Sequence, residues 1–276
     1  MRLQAGLKVL VTGAASGIGR ATALAMAERR LRLFLVDIDP AGLDETRRLA
    51  EGRGASVAAR RLDVTDIDAV GALADEWHAA DGAMDVVMNV AGVGVFGVIE
   101  DMTHADWQRV LGVNLWGTIH VIERFLPPMI AARRGYLVNV ASLAGLVALP
   151  WHAGYTTSKF AVVGLSEVLR YDLAQHNIGV SVVCPGAVDT PMKHSAAILG
   201  VAPDNPQLLD FRQRFEQRTV SPEHVAAVTC AAIERGRFLV FTSWDARALD
   251  FTRRHLPRLH HRLLRWLSPM LNRMRG

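Results

Sequence analysis

The order of apolar segments along the chain constrains the fold more than any other feature of the sequence. Short apolar runs, many of them β-branched, alternate with longer stretches in which apolar residues recur at helical spacing. The predicted strands are LKVLV, LFLV, SVAAR, DVVM, YLVNVAS, VSVVC and RFLVF, and the predicted helices cover about 17–29, 41–51, 66–80, 105–132, 152–175 and 222–235. Parallel strands joined by right-handed crossovers place helices on both faces of one sheet. The sequence therefore predicts an α/β fold with a doubly wound, parallel, seven-stranded sheet.

No break in composition divides this pattern of strands and helices. The chain has 276 residues, and parallel α/β sheets of this length often form one domain. Half of the residues are hydrophobic and 21% are charged, which is typical of globular proteins. We therefore expect one Rossmann-type catalytic domain at 1–250, followed by a basic amphipathic C-terminal tail at 251–276.

Cysteine, histidine and charge patterns exclude several classes of protein. Two cysteines, Cys184 and Cys230, supply neither a disulfide framework nor a four-thiol metal site, and no HExxH-type spacing occurs, so we expect no metal. The net charge is +4, yet seven arginines and no acidic residue follow Asp250. The basic character therefore belongs to the tail, and the body gives no indication of nucleic-acid binding.

The N-terminal sequence and the lengths of the apolar runs predict where in the cell the protein is located. The first predicted strand begins almost at the N-terminus, without the charged and apolar segments of an export signal. No stretch of about 18 residues is both apolar and uncharged, as a membrane-spanning helix requires. We expect a cytoplasmic protein, with peripheral attachment to a membrane surface left open.

A glycine-rich loop joins the first predicted strand to the first predicted helix. Residues 12–19 read TGAASGIG, with the spacing G-x3-G-x-G. Glycines let the backbone approach a pyrophosphate, whose charge is met by free N–H groups and the helix dipole. Asp37 ends the second predicted strand, where a carboxylate accepts hydrogen bonds from ribose hydroxyls and repels a 2′-phosphate. We expect NAD rather than NADP; the alternative for Asp37 is a solvated carboxylate at a turn.

Five motifs occur in order along residues 7 to about 243. They are the glycine loop, Asn89-Val90-Ala91-Gly92, Ser142, Tyr155-x-x-x-Lys159 and Pro185-Gly186. In this combination the chain resembles the short-chain dehydrogenase/reductase family, although Val90 replaces the second asparagine of the family pattern. The resemblance implies an oxidoreductase with a nicotinamide cofactor, a small-molecule alcohol or ketone substrate and assembly as a homodimer or homotetramer.

The resemblance also implies which residues form the site. Tyr155 would be the acid/base, Lys159 would tune it, Ser142 would bind the substrate oxygen, and Asn114 would bend its helix and hold a water that links Lys159 to solvent. Independently, Tyr155 and Lys159 are four residues apart on one helix face, where an ammonium and an oxidised nicotinamide both favour the phenolate. The implied cofactor-binding residues are Gly13, Ser16, Gly17, Ile18, Gly19, Asp37, Asp63, Val64, Asn89, Ala91, Gly92, Tyr155, Lys159, Pro185, Gly186, Val188 and Thr190.

Residues expected near the substrate are mostly apolar, which predicts a lipophilic alcohol or ketone. They are Val93, Val95, Phe96, Leu143, Leu149, Trp151 and Met192. His152 either contacts a polar group of the substrate or only begins a helix. Between Pro185 and Ser221 the alternation stops, which predicts a mobile substrate loop that ends where Ser221 caps the next helix.

The tail has an amphipathic pattern. At about 100° per residue its apolar residues form one stripe, with Arg258, Arg262, Arg265 and Arg273 opposite. The stripe comprises Leu256, Leu259, Leu263, Leu267, Met270, Leu271 and Met274. We expect a kink or break at Pro269. An interfacial membrane anchor and packing on its own domain or a sister subunit both fit this pattern.

Two functions fit the whole sequence, and a third, a lipid-surface protein, is defined by the tail alone. The first is hydride transfer between NAD(H) and a lipophilic secondary alcohol or ketone. The alternative is a nucleotide-sensing or scaffold protein that keeps the fold without catalysis, although such a protein needs neither the Tyr/Lys pair nor Ser142.

Overall fold

Strands and helices alternate from Lys8 onward. The structure, a computed structural model, describes residues 1–216 and 219–273, except for the side chains of 214–216. The strands are β1 (Lys8–Thr12), β2 (Arg32–Asp37), β3 (Ser56–Arg61), β4 (Val86–Asn89), β5 (Val95–Phe96), β6 (Gly135–Val140), β7 (Ile178–Cys184), β8 (Ala197–Ile198) and β9 (Leu239–Phe241). The helices are α1 (Gly17–Ala27), α2 (Pro40–Glu51), α3 (Ile67–Asp81), α4 (His104–Leu111), α5 (Gly117–Ala132), α6 (Ala153–Asp172), α7 (Met192–Ser195), α8 (Pro206–Glu216), α9 (Pro222–Arg235), α10 (Trp244–His255) and α11 (Pro257–Asn272).

Seven of these strands form one parallel sheet, in the order β3-β2-β1-β4-β6-β7-β9. The strand order reverses between β1 and β4, as in a doubly wound fold. Helices α1, α2 and α9 bury Met26, Leu43 and Ile233 against one face of the sheet. Helices α3 and α5 bury Trp77 and Phe125 against the other. The predicted Rossmann-type fold is confirmed, and the carboxyl ends of the strands meet at one edge.

The helix predicted over 105–132 is interrupted in its middle. Helix α4 runs into a π-helical turn at Gly112–Trp116, from which α5 continues. The backbone approaches a neighbour closely where α5 begins, since a Cβ at Gly117 would lie 2.5 Å from the Val64 side chain. The turn contains Asn114, the residue expected to bend this helix.

The region between Pro185 and Ser221 is more regular than predicted. It contains α7, β8 and α8, and β8 pairs with β5 in a separate two-stranded sheet. The Asn205 carboxamide accepts hydrogen bonds from the backbone N–H groups of Gln207 and Leu208, and Pro206 is the first helical residue of α8. This is the cap chemistry that correctly predicted α9 at Ser221. The expectation of an irregular loop here is wrong.

Two helices follow the sheet, and the second differs from its prediction. Helix α10 spans the expected boundary between residues 250 and 251, and α11 runs through Pro269 without a break. Because Pro269 is exposed, solvent can satisfy the carbonyl that its missing N–H leaves free. Met274 and Arg275 of the predicted tail lie outside the described residues.

A chain of buried polar side chains links the middle of the sheet to α6. Asn89 on β4 is directly opposite Asn139 on β6, and its amide donates to the Asn139 carboxamide oxygen at 2.9 Å. Asn139 donates in turn to the Ser166 hydroxyl on α6 at 2.9 Å. All three residues are buried, so these bonds satisfy groups that water does not reach.

Candidate active site

A cavity of about 870 Å³ opens at the carboxyl edge of the sheet. Residues after β1, β2, β4, β6 and β7 line one end of it, and residues of α6, α7, α8 and α11 line the other. Ligands of doubly wound sheets bind at this edge, outside the carboxyl ends of the strands. The cavity is therefore the candidate site.

The glycine loop forms the cavity wall between β1 and α1. Gly13 and Gly17 have φ values of 67° and 50°, which side chains other than glycine rarely adopt. A Cβ at Gly19 would lie 1.9 Å from the Gly13 carbonyl oxygen, so only glycine allows this approach. The Thr12 hydroxyl accepts hydrogen bonds from the N–H groups of Val90 and Ala91, which joins the loop to the end of β4. The open backbone at a helix N-terminus fits a pyrophosphate group.

Asp37 lies at the end of β2, where it lines the cavity. Its carboxylate accepts hydrogen bonds from Ala15 N at 2.8 Å and from Asp39 N at 3.0 Å. The carboxylate thus ties the glycine loop to the β2 turn and still has free lone pairs for a ribose. Strand pairing places Arg61 directly opposite Asp37, with its guanidinium donating to the Ile38 carbonyl oxygen. The sequence neighbours of Asp37 did not reveal this cation.

Ser142, Tyr155 and Lys159 converge on the cavity from two elements. Ser142 follows β6, and its hydroxyl lies beside the Tyr155 phenol of α6, whose pKa it lowers. Lys159 is one turn further along α6, with Nζ 5.8 Å from the Tyr155 ring centre and 2.9 Å from the Val140 carbonyl oxygen. The predicted sharing of one helix face by Tyr155 and Lys159 is thus realised in three dimensions.

Burial shifts the protonation of both titratable groups. It raises the pKa of the Tyr155 phenol above its usual 10.0, and the hydrogen bond from Ser142 opposes the rise. Burial also lowers the pKa of the Lys159 amine from 10.5 to about 8. In the chain alone the largest cause for Tyr155 is desolvation of the phenolate, whereas the lowering of its pKa predicted from sequence also included the positive charge of an oxidised nicotinamide. At neutral pH the chain alone therefore holds a phenol beside an ammonium.

Asn114 fixes the loop that follows β4. Its carboxamide oxygen accepts from Val93 N at 2.8 Å, and its amide nitrogen donates to Val93 O and to the Ser158 hydroxyl, both at 3.0 Å. Gly92 lies between Asn114 and Lys159, since a Cβ there would be 3.2 Å from Asn114 Oδ1 and 3.6 Å from Lys159 Nζ. Asn114 is buried and does not line the cavity.

Most residues singled out from the sequence do line the cavity. Asn89 does not, because its side chain bonds Asn139 inside the sheet. Among the residues expected near the substrate, Val95 is fully buried elsewhere, which corrects its prediction. The predicted residues that line the cavity are Gly13, Ser16, Gly17, Ile18, Gly19, Asp37, Asp63, Val64, Ala91, Gly92, Val93, Phe96, Ser142, Leu143, Leu149, Trp151, His152, Tyr155, Lys159, Pro185, Gly186, Val188, Thr190 and Met192.

The aromatic side of the cavity lies around His152. Its ring lies 4.5 Å from that of Phe96 and 6.3 Å from that of Tyr155, centre to centre, and its Nδ1 is 2.7 Å from the Pro150 carbonyl oxygen. Burial lowers the pKa of His152, so the ring is neutral at physiological pH. His152 therefore presents an uncharged polar group among apolar neighbours.

Two cavity walls could not be assigned from the sequence. Leu208 of α8 and Leu267 and Leu271 of α11 line the substrate end, where they pack around Trp151. The Trp151 indole N–H donates to the Asn272 carboxamide oxygen at 2.8 Å. Trp151 has a φ of 68°, an unusual backbone conformation that this packing holds in place. The tail thus packs on its own domain and lines the cavity with Leu267 and Leu271.

Comparisons with known proteins agree with this geometry. A family model described as short chain dehydrogenase matches residues 7–198. The chain belongs to the short-chain dehydrogenase family. It is 36% identical over 263 residues to SadH of Mycobacterium tuberculosis, whose name assigns it to the oxidoreductases, with 94% of each chain covered. It is 36% identical to 1-deoxy-11-beta-hydroxypentalenate dehydrogenase of Streptomyces avermitilis, with 90% of this chain and 88% of that one covered.

A solved structure extends the likeness to the nucleotide end. A short chain dehydrogenase/reductase from Burkholderia phymatum, crystallised in complex with NAD, superposes with a TM-score of 0.83 at 32% identity and covers 94% of this chain and 96% of its own. Short-chain dehydrogenases are oxidoreductases that bind a nicotinamide cofactor, act on small molecules and commonly form oligomers. The glycine loop and the cavity of this chain fit such a cofactor.

The described residues contain neither a membrane-spanning helix nor a cluster of metal ligands. Within 1–216 and 219–273, no helix is long and apolar enough to cross a membrane. Over the same residues, no cluster of three or more histidine, cysteine, aspartate or glutamate side chains is arranged to hold a metal ion.

Proposed function

We propose that the protein transfers a hydride between NAD(H) and the carbinol or carbonyl carbon of a lipophilic secondary alcohol or ketone. The observation that carries the proposal is the convergence of Ser142, Tyr155 and Lys159 in a cavity whose other end is the glycine loop. Neither a sensor nor a scaffold requires a buried lysine beside a half-buried tyrosine.

The proton steps belong to residues of this chain. When bound, the nicotinamide gives or takes the hydride and, in its oxidised form, adds a positive charge. In reduction, Ser142 donates a hydrogen bond to the carbonyl oxygen, and the Tyr155 hydroxyl gives that oxygen its proton. In oxidation, the phenolate of Tyr155 takes the proton of the alcohol. The Lys159 ammonium beside the ring stabilises that phenolate.

Asn114 and Val93 support this proton transfer from outside the cavity. The paired hydrogen bonds between the Asn114 carboxamide and the Val93 backbone hold the loop that carries Gly92 against Lys159. We assign Asn114 a positioning role for Lys159. In this proposal Asn114 also holds the water through which Lys159 exchanges its proton with solvent.

Asp37 supports the choice of NAD. Its carboxylate at the end of β2 is oriented by two backbone N–H groups and repels a 2′-phosphate. Arg61 lies directly opposite Asp37, and its positive charge would attract a 2′-phosphate and so oppose the preference for NAD. The Nε of Arg61 already donates a hydrogen bond to the Ile38 carbonyl oxygen.

The lining of the substrate end supports a lipophilic substrate. Phe96, Leu149, Trp151 and Leu271 line the cavity, and the Phe96 ring lies 5.5 Å from that of Tyr155, centre to centre. His152 is a neutral polar group at this place, and the cavity lining also includes the polar or charged side chains of Lys193, His194 and Arg212. Burying an apolar substrate against such side chains stabilises the complex by about 25 cal/mol per Å² of apolar surface. The Streptomyces relative is likewise named for a hydroxylated substrate.

Assembly and location complete the proposal. We infer a homodimer or homotetramer, supported by the exposed apolar side chain of Val168 on α6 and by the oligomers that the family commonly forms. A cytoplasmic location is supported by two buried, unpaired cysteines, Cys184 and Cys230.

The decisive experiment compares Tyr155→Phe with a matched control on the same helix. Purified enzyme is screened by NADH fluorescence against secondary alcohols, sterols, retinoids and the corresponding ketones. Tyr155→Phe removes one proton donor and little volume, so we expect turnover below about a thousandth of wild type with NADH binding retained. Tyr171→Phe changes an exposed tyrosine of α6 and keeps the wild-type rate.

Two outcomes would overturn this assignment. More than about a tenth of the wild-type rate in Tyr155→Phe would exclude Tyr155 as the acid/base, since general acid-base catalysis contributes at least about 100-fold. Tight NADH binding without turnover of any alcohol or ketone in the screen would favour the nucleotide-sensing alternative.

A further inference from the structure

Helix α11 has two apolar faces, of which only one packs on the protein. His260 and Leu271 are buried, and Leu264 and Leu267 pack against buried clusters. A second row of side chains, here called the outer stripe, remains exposed. It consists of Leu256, Leu259, Leu263, Trp266 and Met270, with exposed fractions of 46%, 56%, 44%, 67% and 41%.

The outer stripe is continuous. Leu256 lies directly before the first helical residue, and the other four members are spaced three and four residues apart, so at about 100° per residue they lie within an arc of roughly 60°. The side chains packed on the domain fall about 100° away on one side. The single stripe predicted from sequence is therefore two adjacent faces in the structure, and the outer one has no cover within the described chain.

Arginines border the outer stripe on the side away from the domain. Arg258, Arg262, Arg265 and Arg273 are all exposed, and none forms an ion pair within the part of the chain that the structure describes. No acidic residue occurs from 251 to 276. The surface therefore combines a linear apolar ridge with a uniformly positive border.

We propose that the outer stripe of α11 docks the protein on the surface of an anionic lipid bilayer. The helix would lie in the plane of the membrane, with Leu259, Leu263 and Trp266 among the first acyl carbons. The arginine stems follow the apolar surface while their guanidinium groups bind lipid phosphates. A helix with large leucines and a tryptophan on one face and arginines beside it has the composition of an interfacial helix.

Charge argues against a second copy as the occupant of this face. A symmetric contact places the same surface on both subunits, so the arginines of one α11 would face those of the other. No carboxylate in 251–276 is available to offset that repulsion. An anionic bilayer supplies phosphate for every arginine.

Docking at this face has a consequence for the cavity, which rests on the proposed function. Leu267 and Leu271 of the same helix line the substrate end. A docked α11 therefore has lipid on its outer face and the substrate cavity on its inner face. The substrate class that fits is a lipophilic alcohol or ketone that partitions into membranes.

The test is sedimentation of the full chain with sucrose-loaded vesicles, which needs no catalysis. We expect the chain to pellet with vesicles of POPC and POPG at 3:1. Affinity should fall at least about tenfold with POPC alone, and by a similar factor at about 0.5 M NaCl, since exposed charges are screened over only a few ångströms there.

Two sets of variants separate apolar from ionic contributions. Leu263→Ser with Trp266→Ser should weaken binding at least about 50-fold, because each large apolar side chain contributes about tenfold when buried. Arg258→Gln with Arg262→Gln should weaken binding to anionic vesicles about 25-fold, at about fivefold per arginine, and leave binding to POPC unchanged. The control, Leu49→Ser with Ile67→Ser, removes exposed apolar side chains of α2 and α3 and keeps wild-type binding.

The outcomes distinguish docking from catalysis and from self-assembly. A wild-type chain that stays in the supernatant, or an outer-stripe variant that pellets like wild type, overturns the proposal. If the wild-type chain does not bind vesicles, and Leu263→Ser with Trp266→Ser lowers the mass of the protein measured by light scattering, a second copy covers the outer stripe and docking is refuted. NADH titration and turnover of a water-soluble ketone are measured on every variant. A chain that pellets with vesicles but turns over no substrate refutes only the proposed reaction. A chain that turns over substrate but does not pellet refutes only the docking.

Discussion

Replacing Lys159 by methionine is expected to change stability in a way that depends on pH. Methionine keeps an unbranched apolar side chain in the buried site but has no titrating amine. Burial lowers the pKa of Lys159 from 10.5 in the unfolded chain to about 8 in the folded chain. Folding therefore opposes protonation of this amine, and the protonated form destabilises the folded state.

The sign and size of the effect follow from proton linkage. Below about pH 8 the Lys159 amine is protonated in both the folded and the unfolded chain, and the full cost of burying its charge is present. Between about pH 8 and 10.5 only the unfolded chain keeps this proton, so the free energy of unfolding rises with pH. At 1.36 kcal/mol per pKa unit, Lys159 destabilises the folded state by about 3 kcal/mol at about pH 7 and by about 1 kcal/mol at about pH 9.5. The wild type should thus gain about 2 kcal/mol relative to Lys159→Met over this interval.

Urea denaturation without added nucleotide measures this difference. The free energy of unfolding is determined for both proteins at about pH 7 and about pH 9.5, and titrations of other groups cancel in the comparison. Lys8→Met is the control for replacing a lysine outside the cavity. A wild-type to Lys159→Met difference that stays constant within about 0.5 kcal/mol, or that moves the other way, would refute the burial of a charged amine at this position.

Three further predictions concern the glycine loop, the cofactor and the cavity wall. Gly19→Ala abolishes NADH binding in fluorescence titration, because its Cβ would meet the Gly13 carbonyl at 1.9 Å; a folded variant that binds normally would contradict this. Asp37→Ser raises kcat/KM for NADPH relative to NADH at least about tenfold by removing a repelling charge, and an unchanged ratio would exclude that role. Leu271→Ala raises KM about tenfold for large lipophilic ketones but not for small ones; equal effects would exclude it from the wall.

The sheet and the chemical residues were predictable because both depend on local sequence. Central parallel strands are buried on both faces, so β1, β4 and β7 read as nearly continuous apolar runs. The motif residues follow strand ends or lie four apart on one helix, and chain order alone then brings them to one edge. Tyr155, Lys159 and Ser142 therefore meet in the cavity as expected.

What the sequence could not reveal depends on tertiary contacts. Arg61 lies beside Asp37 only through the register of β2 and β3, which no local pattern encodes. Leu267 and Leu263 share one amphipathic pattern, yet one lines the cavity and the other faces outward, since the wide apolar arc of α11 is divided by where the helix packs. The rise in the Tyr155 pKa likewise follows from burial, which spacing does not report.

The hydrogen bond between Asn89 and Asn139 bears on how faithfully the chain folds. Strand β4 is apolar apart from Asn89, and in a parallel sheet buried on both faces an apolar strand has little to hold its alignment. A slip of one residue between β4 and β6 would separate the two amides inside a dry interior, at about 1–3 kcal/mol for each unsatisfied group. The shifted register is disfavoured by that amount relative to the native one. Since Asn89 also precedes the loop that runs to Gly92 and Val93, the same strand register fixes where that loop meets Asn114 and Lys159.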